Sequence, residues 1–524
     1  MSPGDLVLTG SALTPGTLRA AVDSGSPVKT GPGVREAVIA SRDRLDRLLE
    51  SGRTIYGVNT SMGGFVNYLV PTSQARTLQE NLLETVATNV GPDFGAREVR
   101  AMMIARLNSL ARGMSGLSDE NFGIYLEMIN RGVVPRIPSK GSLGASGDLG
   151  PLGYIALVGI GRWHATVGGR TLPGAEALKV AGIEPMHLDY KEGLALINGT
   201  SAMTGLGALV VEDTVSLLRA YEMVSCLSLE TLGATRNPFD PRVHRQKPHP
   251  DQEGVATRIY DALASSELIR DEARVSAELG SRRGETATAM DQAIEDAYSL
   301  RCTPQILGPV WESVRHARDI VGRELNSSND NPLILAEPVD AFHNGHFHGQ
   351  YISMAMDHVS IALTTVTNLA DRRIDRFLDA SSSLILPPFL CAGDAGLRFG
   401  FMGGQFMSTS LAAENRSLCV PLSIQTLTCT GDFQDIVSMG LIAARRAQEI
   451  LGNLYFIVAF ELLAGCQAAD IRGVEGLSDQ SRRVHELVRE RVPYLDTDHE
   501  LTSYLTALAD LLRGRGLEAA EASR

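Results

Sequence analysis

Long helical segments beyond residue 200 constrain the fold of this 524-residue chain more than any other feature. Apolar residues recur there at steps of three and four, which is the spacing of one face of an α-helix. The segment from Gln350 to Leu378 is apolar around much of its circumference, through Met354, Met356, Val359, Ile361 and Leu363. A helix with so little polar surface is buried in a bundle. We predict long helices over residues 202–232, 304–325, 350–378 and 434–471.

The first 200 residues combine shorter helices with a few strand signals. Amphipathic patterns predict helices over residues 34–49, 75–88 and 96–113. Residues 133–138 are expected to be extended because residues before proline avoid the helix, and Gly168-Gly169 predicts a hairpin within residues 163–172. We therefore divide the chain into three regions. They are a mixed N-terminal region (1–200), a central long-helix bundle (201–480) and a C-terminal helical tail (481–524).

Composition and charge exclude several classes of protein. The net charge of −13 argues against nucleic acids and acidic membrane surfaces as partners. The six cysteines form no Cys-x-x-Cys pair, so neither a zinc site nor a disulfide framework is indicated. The N-terminus lacks the pattern of a secretion signal, and the apolar segment from Tyr455 to Cys466 is short and contains Glu461. We therefore expect a soluble, cytoplasmic protein that does not span a membrane.

The tripeptide Ala145-Ser146-Gly147 lies in the glycine-rich run from residue 141 to residue 152. If a tight turn presses the Gly147 nitrogen against the Ala145 carbonyl, the backbone can cyclise, and loss of two waters leaves a methylidene imidazolone (MIO). Such a ring is a strong electrophile, which ordinary side chains do not provide. Gly144 permits the backbone angles of such a turn, and Asp148 can hold the bend by hydrogen bonds to nearby backbone.

On the tripeptide alone, an ordinary Gly/Ser loop is the more common explanation. Two other glycine-loop motifs are excluded. A phosphate-binding loop ends in Gly-Lys-Ser/Thr, which this run lacks. A nucleophile elbow requires Gly-x-Ser-x-Gly, but the residue two positions after Ser146 is Asp148.

Six further segments accompany the glycine-rich run in a fixed order. They are residues 56–60, 193–200, 296–301, 324–332, 347–349 and 434–440, which include Tyr-Gly-Val-Asn-Thr, Ile-Asn-Gly-Thr, Ser-Ser-Asn-Asp-Asn-Pro and Phe-His-Gly. Together with Gly-Ser-Leu-Gly-Ala-Ser-Gly-Asp-Leu, these segments resemble the aromatic amino acid ammonia lyase and aminomutase family. The resemblance extends from about residue 55 to residue 475. Agreement in seven ordered segments favours the cyclised interpretation of the tripeptide.

Within that family, the chain most resembles the bacterial phenylalanine aminomutases. The resemblance lies in residues 59–68, 86–91 and 431–434. It implies a mainly α fold, a long-helix bundle of the fumarase/aspartase-like (histidine ammonia lyase-like) architecture. It also implies a homotetramer whose active sites draw residues from three chains. The cofactor implied is MIO, formed autocatalytically from Ala145-Ser146-Gly147, with no metal and no external cofactor.

The resemblance assigns two sets of site residues. The catalytic set is Tyr56, Ala145, Ser146, Gly147, Asn198, Tyr298, Arg301, Phe347, Glu414 and Gln434. The substrate-binding set is Gly63, Leu82, Val86, Leu194, Met402 and Phe433. By the same resemblance, the ring captures the substrate amine, Phe347 packs near the substrate, and Asn198 lies beside the ring and the substrate carboxylate.

Tyr56 is the candidate base for the β-proton. A phenol with its ordinary pKa of about 10 is protonated at neutral pH, so its surroundings must lower that pKa. Arg301 is the candidate clamp for the carboxylate because its planar fork binds both oxygens. Tyr298 precedes it by three residues and is expected on the same helical face.

The roles of three further groups are less constrained by the sequence. Gln434 and Glu414 are expected on the wall of the bundle. Glu414 either handles protons on the amine or is a buried helix carboxylate paired with Arg416. His343, His346 and His348 suggest a metal site by their number, but no cysteine or acidic ligand accompanies them, and the family uses no metal.

The ring pocket is predicted to be apolar. Relatives selective for tyrosine or histidine commonly carry a histidine at the position of Val86, and an unpaired phenol hydroxyl in an apolar pocket costs free energy. Leu82, Phe399, Phe401, Met402 and Phe433 are the other candidates for this pocket. We therefore expect L-phenylalanine to be preferred over tyrosine. Glu295 and the phenylalanines at 399, 401 and 433 depart from the family pattern, which leaves a substituted or aza-aromatic substrate open.

The reaction outcome depends on the lid, residues 56–71. An aminomutase must hold the arylacrylate until the amine adds again at the β-carbon. Ser61-Met62 replaces the Gly-Phe of most members and matches the aminomutase subgroup. We expect β-phenylalanine as product, with cinnamate as leakage. The alternatives are a phenylalanine ammonia-lyase, an aminomutase for tyrosine and a non-catalytic bundle protein. The last is disfavoured because Tyr56, the tripeptide and Arg301 are all present.

Overall fold

The computed structural model describes residues 4–518 except 282, 283, 285, 288, 290–292 and 384. Its helices are α1 (Pro15–Ser24), α2 (Val34–Glu50), α3 (Ala75–Val86), α4 (Ala96–Leu110), α5 (Asp119–Asn130), α6 (Leu149–Gly159), α7 (Gly174–Ala181), α8 (Glu192–Ile197), α9 (Ser201–Thr231), α10 (Pro241–His244), α11 (Pro250–Ala262), α12 (Glu272–Gly280), α13 (Tyr298–Arg301), α14 (Thr303–Leu325), α15 (Gln350–Leu378), α16 (Ala380–Ser383), α17 (Met402–Leu418), α18 (Gly440–Arg472), α19 (Asp479–Arg489) and α20 (Thr502–Arg513). The mainly helical class predicted from the sequence is confirmed.

The strands are short and lie in the N-terminal region and between α14 and α15. They are β1 (Leu6–Leu8), β2 (Val28–Thr30), β3 (Val90–Asp93), β4 (Val134–Pro135), β5 (Pro138–Lys140), β6 (His164–Val167), β7 (Arg170–Pro173), β8 (Leu333–Ala336) and β9 (Val339–Phe342). β1 and β2 pair in parallel, while β3–β5, β4–β6–β7 and β8–β9 are antiparallel. The predicted hairpin is β6–β7, and its two turn glycines both have positive φ, as a two-residue hairpin turn requires.

The contacts divide the chain into two compact units. The first unit comprises the residues up to Glu212, His316–Asp357 and Pro421–Arg446. The second unit comprises Asp213–Arg315, His358–Val420 and the residues from Ala447 onward. Boundaries between the units fall inside α9, α14, α15 and α18. The three regions predicted from the sequence follow chain order instead, and that division stays a prediction.

The four long helices are confirmed as α9, α14, α15 and α18, but α18 begins six residues later than predicted. The sequence predicted a start at Gln434, whereas the helix starts at Gly440. Thr430, Asp432 and Met439 have φ of 52°, 67° and 55°, which belong to the left-handed region. A right-handed helix excludes such angles, so residues 429–439 form a loop.

Burial in α15 is one-sided. Met356, Val359 and Leu363 are fully buried, as predicted, but Met354 and Ile361 are 48% and 46% exposed. The helix therefore keeps an exposed apolar stripe that its composition alone did not indicate.

Two long helices have the length and composition of a membrane span, α9 and α18. In their most apolar windows, 89% and 83% of the residues are buried within the protein, as in the core helices of a globular fold. The segment from Tyr455 to Cys466 belongs to the 33-residue α18, so its shortness was not a valid reason to exclude a span. Burial is the feature that makes it a core helix.

A small core in the first unit fixes the base of the predicted lid. Ile55 and Val58 are fully buried and pack with Leu45 of α2 and Ile334 of β8. Because these two residues flank Tyr56, burial of the neighbours holds that tyrosine at a defined place.

Candidate active site

The tripeptide lies in a turn of left-handed residues. Gly144, Ser146 and Gly147 have φ of 91°, 51° and 83°. The Gly147 N–H donates to the Gly144 carbonyl at 3.2 Å, which closes the turn. A left-handed serine is uncommon, since its Cβ crowds the backbone. The chain therefore turns back at Ser146, between the two residues that cyclisation of this tripeptide would join.

The turn is bound to Gly199 by backbone hydrogen bonds on both sides. The Asp148 N–H donates to the Gly199 carbonyl at 2.8 Å, and the Gly199 N–H donates to the Ser146 carbonyl at 3.1 Å. A Cβ on Gly147 would lie 2.1 Å from the Gly199 oxygen, so only glycine fits there.

Asp148 is completely buried beside the turn. Its carboxylate accepts from the Met203 N–H in the first turn of α9 at 2.8 Å and lies 3.5 Å from the Ser142 hydroxyl. Burial raises the pKa of Asp148 to about 7. The prediction that Asp148 bonds to nearby backbone is wrong, because its side chain accepts from α9, 55 positions further along the chain.

Gln434 contacts the tripeptide directly. Its Nε2 donates to Ser146 Oγ at 3.0 Å, while its Oε1 accepts from the Thr430 hydroxyl at 3.1 Å and faces the Cys429 thiol at 3.4 Å. The expectation that Gln434 lies on a helical bundle wall is wrong, because it lies within the loop of residues 429–439 that precedes α18. These partners on both sides of the amide fix its orientation toward Ser146.

Tyr56 is held at its backbone and at its hydroxyl. Its N–H donates to the His343 ring at 3.0 Å, and its hydroxyl accepts from the Gly63 N–H at 3.0 Å. Burial raises the pKa of the Tyr56 phenol above its ordinary value, although the Gly63 N–H opposes this. The expected lowering of the pKa is therefore wrong for the described chain, in which Tyr56 is a neutral phenol at pH 7.

Gln79 of α3 connects the lid to α8. Its Nε2 donates to the Gly57 carbonyl at 3.0 Å, and its Oε1 accepts from the Leu194 N–H at 2.9 Å. A Cβ on Gly57 would lie 2.5 Å from Leu194 Cδ2, so Leu194 packs against the start of the lid. Gly64 approaches the Thr430 carbonyl in the same way, with a distance of 3.1 Å to a Cβ placed there. The lid thus contacts both α8 and the loop that carries Gln434.

Asn198 ends α8 immediately before Gly199. It is 1% exposed, and its Nδ2 donates to the Asn331 carbonyl at 3.0 Å. Its buried Oδ1 accepts no hydrogen bond from any residue that the structure describes. A buried amide oxygen without a donor is costly, so this atom is available to a ligand.

A buried ion pair supports the start of α8. Lys191 Nζ lies 2.6 Å from Asp330 Oδ2, and both side chains are at most 1% exposed. Burial lowers the pKa of Lys191, and Asp330 counters this. Arg106 also donates to the Ala195 carbonyl and, at 3.0 Å, to Asn329 Oδ1. No single-residue pattern in the sequence indicates these groups, although residues 329–331 lie in one of the family-like segments.

In the second unit, Tyr298 and Arg301 share the single turn α13. The Arg301 guanidinium lies 5.0 Å from the Tyr298 ring, which confirms their common face. One Nη donates to Glu295 at 2.9 Å, and the buried Nε has no partner among the described residues. Tyr298 is 70% exposed. Arg301 therefore retains an unused donor, as an anion-binding guanidinium requires.

Met402 and Glu414 both lie on α17 in the second unit. Glu414 is exposed and accepts from the Asn453 side chain at 3.3 Å, whereas Arg416 donates to Asn368 at 2.8 Å. The alternative of a buried Glu414 paired with Arg416 is therefore wrong. Phe401 is 2% exposed and packs near the Phe460 ring, so it is a core residue.

The remaining predicted residues of the first unit are less buried. Leu82 and Val86 on α3 and Phe347 before α15 are half-buried, Phe433 is 49% exposed, and Gly63 has a φ of 57°. A Cβ on Gly153 would lie 2.8 Å from Val86 Cγ2. Their part in binding a substrate stays a prediction.

Of the three clustered histidines, His343 contacts the lid. His343 accepts from the Tyr56 backbone, and burial lowers its pKa. Within the described part of the chain, no three His, Cys, Asp or Glu side chains are placed to hold a metal ion together.

Comparison with known proteins gives three concordant matches. Residues 13–490 match the family described as aromatic amino acid lyase. Pantoea agglomerans phenylalanine aminomutase is 51% identical, with a TM-score of 0.95 over 97% of this chain and 99% of that chain. The tyrosine ammonia-lyase of Cupriavidus metallidurans is 45% identical over 98% of this chain and 96% of its own length.

The same fold occurs in histidine ammonia-lyase from Trypanosoma cruzi. That structure is 31% identical, with a TM-score of 0.88 over 98% of this chain and 94% of that chain. This agreement confirms the long-helix architecture predicted from the sequence.

Proposed function

The chain belongs to the aromatic amino acid lyase family, and from that premise we propose that it is an aminomutase converting an L-α-aromatic amino acid to its β-amino acid. The observation that carries the proposal is the left-handed turn at Ser146-Gly147, which is bound to Gly199 and contacted by Gln434. The turn fits a tripeptide that cyclises to MIO, because its shape and its lack of space for a Cβ match that reaction. When formed, the ring supplies an electrophile for the substrate amine.

The residues of this chain supply the other functions. Tyr56 takes the proton from the β-carbon, and its hydroxyl is held for this by the Gly63 N–H. Arg301 binds the substrate carboxylate through its guanidinium, whose Nε has no partner among the described residues. Asn198 offers its buried Oδ1 to a donor of the substrate or of the ring. Tyr298, Phe347, Glu414 and Gln434 complete the proposed catalytic set.

L-phenylalanine is the proposed substrate. The side chain of Val86 offers no hydrogen bond to a ring hydroxyl, and a tyrosine phenol left unpaired there loses about 1–3 kcal/mol. The 51% identity to a phenylalanine aminomutase supports the same choice. The 45% identity to a tyrosine ammonia-lyase favours the second candidate, a lyase that releases the arylacrylate.

Assembly into a homotetramer with active sites shared between chains is part of the proposal. The lid exposes Phe65, Tyr68 and Leu69, which are 65%, 60% and 77% accessible in the isolated chain. Exposed apolar clusters of this kind commonly mark protein interfaces.

Two measurements test the proposal. The intact mass of the purified protein should be lower than the mass of its sequence by two waters, and Ser146→Ala should abolish this difference. Incubation with L-phenylalanine and with L-tyrosine, followed by chiral chromatography, should give β-phenylalanine as the main product. If cinnamate is the only product, the lyase is favoured. An uncyclised chain in active protein would contradict the proposed chemistry.

A further inference from the structure

α13 carries Arg301 but is too short to hold its own position. It consists of four residues, and its backbone bonds are those of one turn, such as Arg301 N–H to the Ala297 carbonyl at 3.0 Å. An isolated helical turn is unstable because its nucleation costs more than its few hydrogen bonds return. The direction of Arg301 therefore depends on side chains elsewhere in the second unit.

Arg373 of α15 contacts the centre of α13 and the first residue of α14. Its Nε donates to the Ser299 carbonyl at 2.8 Å, and its Nη2 donates to the Thr303 hydroxyl at 2.5 Å. The Thr303 hydroxyl in turn donates to the Leu300 carbonyl at 2.7 Å. One rigid guanidinium thus fixes the backbone on both sides of Leu300, directly before Arg301.

Glu461 of α18 compensates the charge of Arg373. Both side chains are fully buried, and Glu461 Oε1 lies 3.3 Å from Arg373 Nη1. The same oxygen accepts from the Ser228 hydroxyl at 2.8 Å, and Arg373 Nη1 also donates to Ser225 at 2.7 Å. The guanidinium is therefore bonded at all three of its nitrogens.

Such a pair is not explained by stability alone. Replacing a buried ion pair by apolar side chains of similar volume is often neutral or stabilising. A guanidinium has planar donors at fixed angles, which a hydrophobic group or a lysine lacks. What Arg373 provides here is direction, because its Nε binds α13 at Ser299 and its Nη2 binds the start of α14 at Thr303.

We propose that Arg373, held by Glu461, positions α13 so that Arg301 meets the substrate carboxylate. Arg373 is a positioning residue, since its side chain is fully buried and its three guanidinium nitrogens are all bonded to the protein. The inference rests on the proposed function, in which Arg301 binds that carboxylate. It adds a buried determinant of substrate affinity that lies outside the set of residues proposed to touch the substrate.

The test compares ligands with and without a carboxylate in the full-length enzyme. In R373M, the KM of the aromatic amino acid and the inhibition constant of cinnamate should rise about 10–100-fold, as expected for a misplaced binding group. Inhibition by cinnamyl alcohol, which has no carboxylate, should stay within about twofold, below the usual worth of one hydrogen bond. R372Q is the matched control, since Arg372 is the 59% exposed neighbour on the same helix, and it should leave all constants unchanged.

Two further variants separate positioning from folding. R373K keeps a charge beside Glu461, and R373M/E461M removes both charges, so both should unfold at higher temperature than R373M. Neither restores the fork on Ser299 and Thr303, so both should keep the raised inhibition constant of cinnamate. Should R373M not fold, these two variants carry the comparison. Recovery of cinnamate binding together with thermal stability would overturn the proposal.

Arg301→Gln distinguishes this inference from the proposed function. If R301Q leaves cinnamate binding unchanged, the proposed role of Arg301 fails. If R301Q weakens cinnamate binding while R373M does not, only the positioning role of Arg373 fails.

Discussion

At the residue scale, the site depends on titratable groups whose surroundings the sequence did not reveal. Sequence motifs identify both Tyr56 and Asp148, but burial determines whether each side chain is protonated. Burial raises the pKa of Tyr56, and it raises the pKa of Asp148 to about 7. Desolvation depends on which atoms surround a group, and that is decided by distant parts of the chain.

Tyr56 should make turnover increase with pH above neutrality. A base must be deprotonated to act, and because the pKa of Tyr56 is raised, the active fraction grows as the pH rises. We expect kcat/KM to rise between pH 7 and pH 9, and Y56F to lose turnover by about 10²–10⁴-fold. Y56F should still show the mass loss of two waters and still bind cinnamate. Turnover by Y56F within tenfold of the wild type would exclude Tyr56 as the base.

Asp148 should make the folded state less stable as the pH rises. Its pKa is about 7 in the folded chain and about 3.9 in an unfolded one, so folding takes up a proton between these values. The resulting stabilisation is present below pH 4 and is lost as the pH rises through 7, by up to about 4 kcal/mol.

Thermal unfolding from pH 4 to pH 8 measures this effect. Asp148→Asn should remove the fall, since an amide does not titrate. Ser146→Ala is introduced both into the otherwise unchanged protein and into Asp148→Asn, so that ring formation does not differ between the two proteins compared. Parallel pH dependences with and without Asp148 would contradict the prediction.

At the scale of elements, two short helices present proposed catalytic residues, and buried charges hold them. α8 presents Asn198 and is supported by Lys191 and Asp330, while α13 presents Arg301. Neither helix has enough residues to be stable alone. Both segments contain sequence motifs, but Asp330 and Arg373 lie far away in the sequence, and local patterns do not connect them to these segments.

Breaking the pair of Lys191 and Asp330 should strongly destabilise the protein. K191M leaves a buried carboxylate without its partner and should cost about 3–5 kcal/mol, while K191M/D330L should recover part of that loss. Thermal unfolding of the single and double variants measures this. Glu127→Gln is the control, since Glu127 and Arg131 are each 46% exposed, and it should change stability by less than about 1 kcal/mol. If K191M and Glu127→Gln changed stability equally, the buried pair would contribute no more to stability than the exposed pair.

At the scale of the whole molecule, the chain combines buried long helices with an exposed apolar lid. The family, the mainly helical class and the four long helices were all predicted correctly. The start of α18 was not, because left-handed residues at 430–432 and 439 interrupt the chain before Gly440. Apolar periodicity predicts which face of a helix is buried, but it does not predict the residue at which the helix begins or ends.

Charge on the lid should disrupt assembly. Leu69 is 77% exposed in a segment that also exposes Phe65 and Tyr68, whose rings contact each other at 5.9 Å. We expect L69E to lower the molar mass in solution from that of a tetramer, since a buried charge without a partner is costly. Light scattering coupled to size-exclusion chromatography measures this molar mass. Val180→Glu is the control, because Val180 is 60% exposed on α7, outside the lid. An unchanged tetramer in L69E would place the subunit interface elsewhere.

The sequence by itself determined the family, the helical architecture and the residues whose chemistry is local. A tripeptide, a motif and a helical repeat are contained within a few consecutive residues, so their chemical types and spacing can be read directly. The tertiary structure sets the burial and the hydrogen-bond partners of those residues. It placed Gln434 on a loop against Ser146, left Glu414 exposed, buried Asp148, and set Arg373 behind Arg301. Burial and hydrogen-bond partners depend on segments more than 50 residues apart, which meet only when the chain folds.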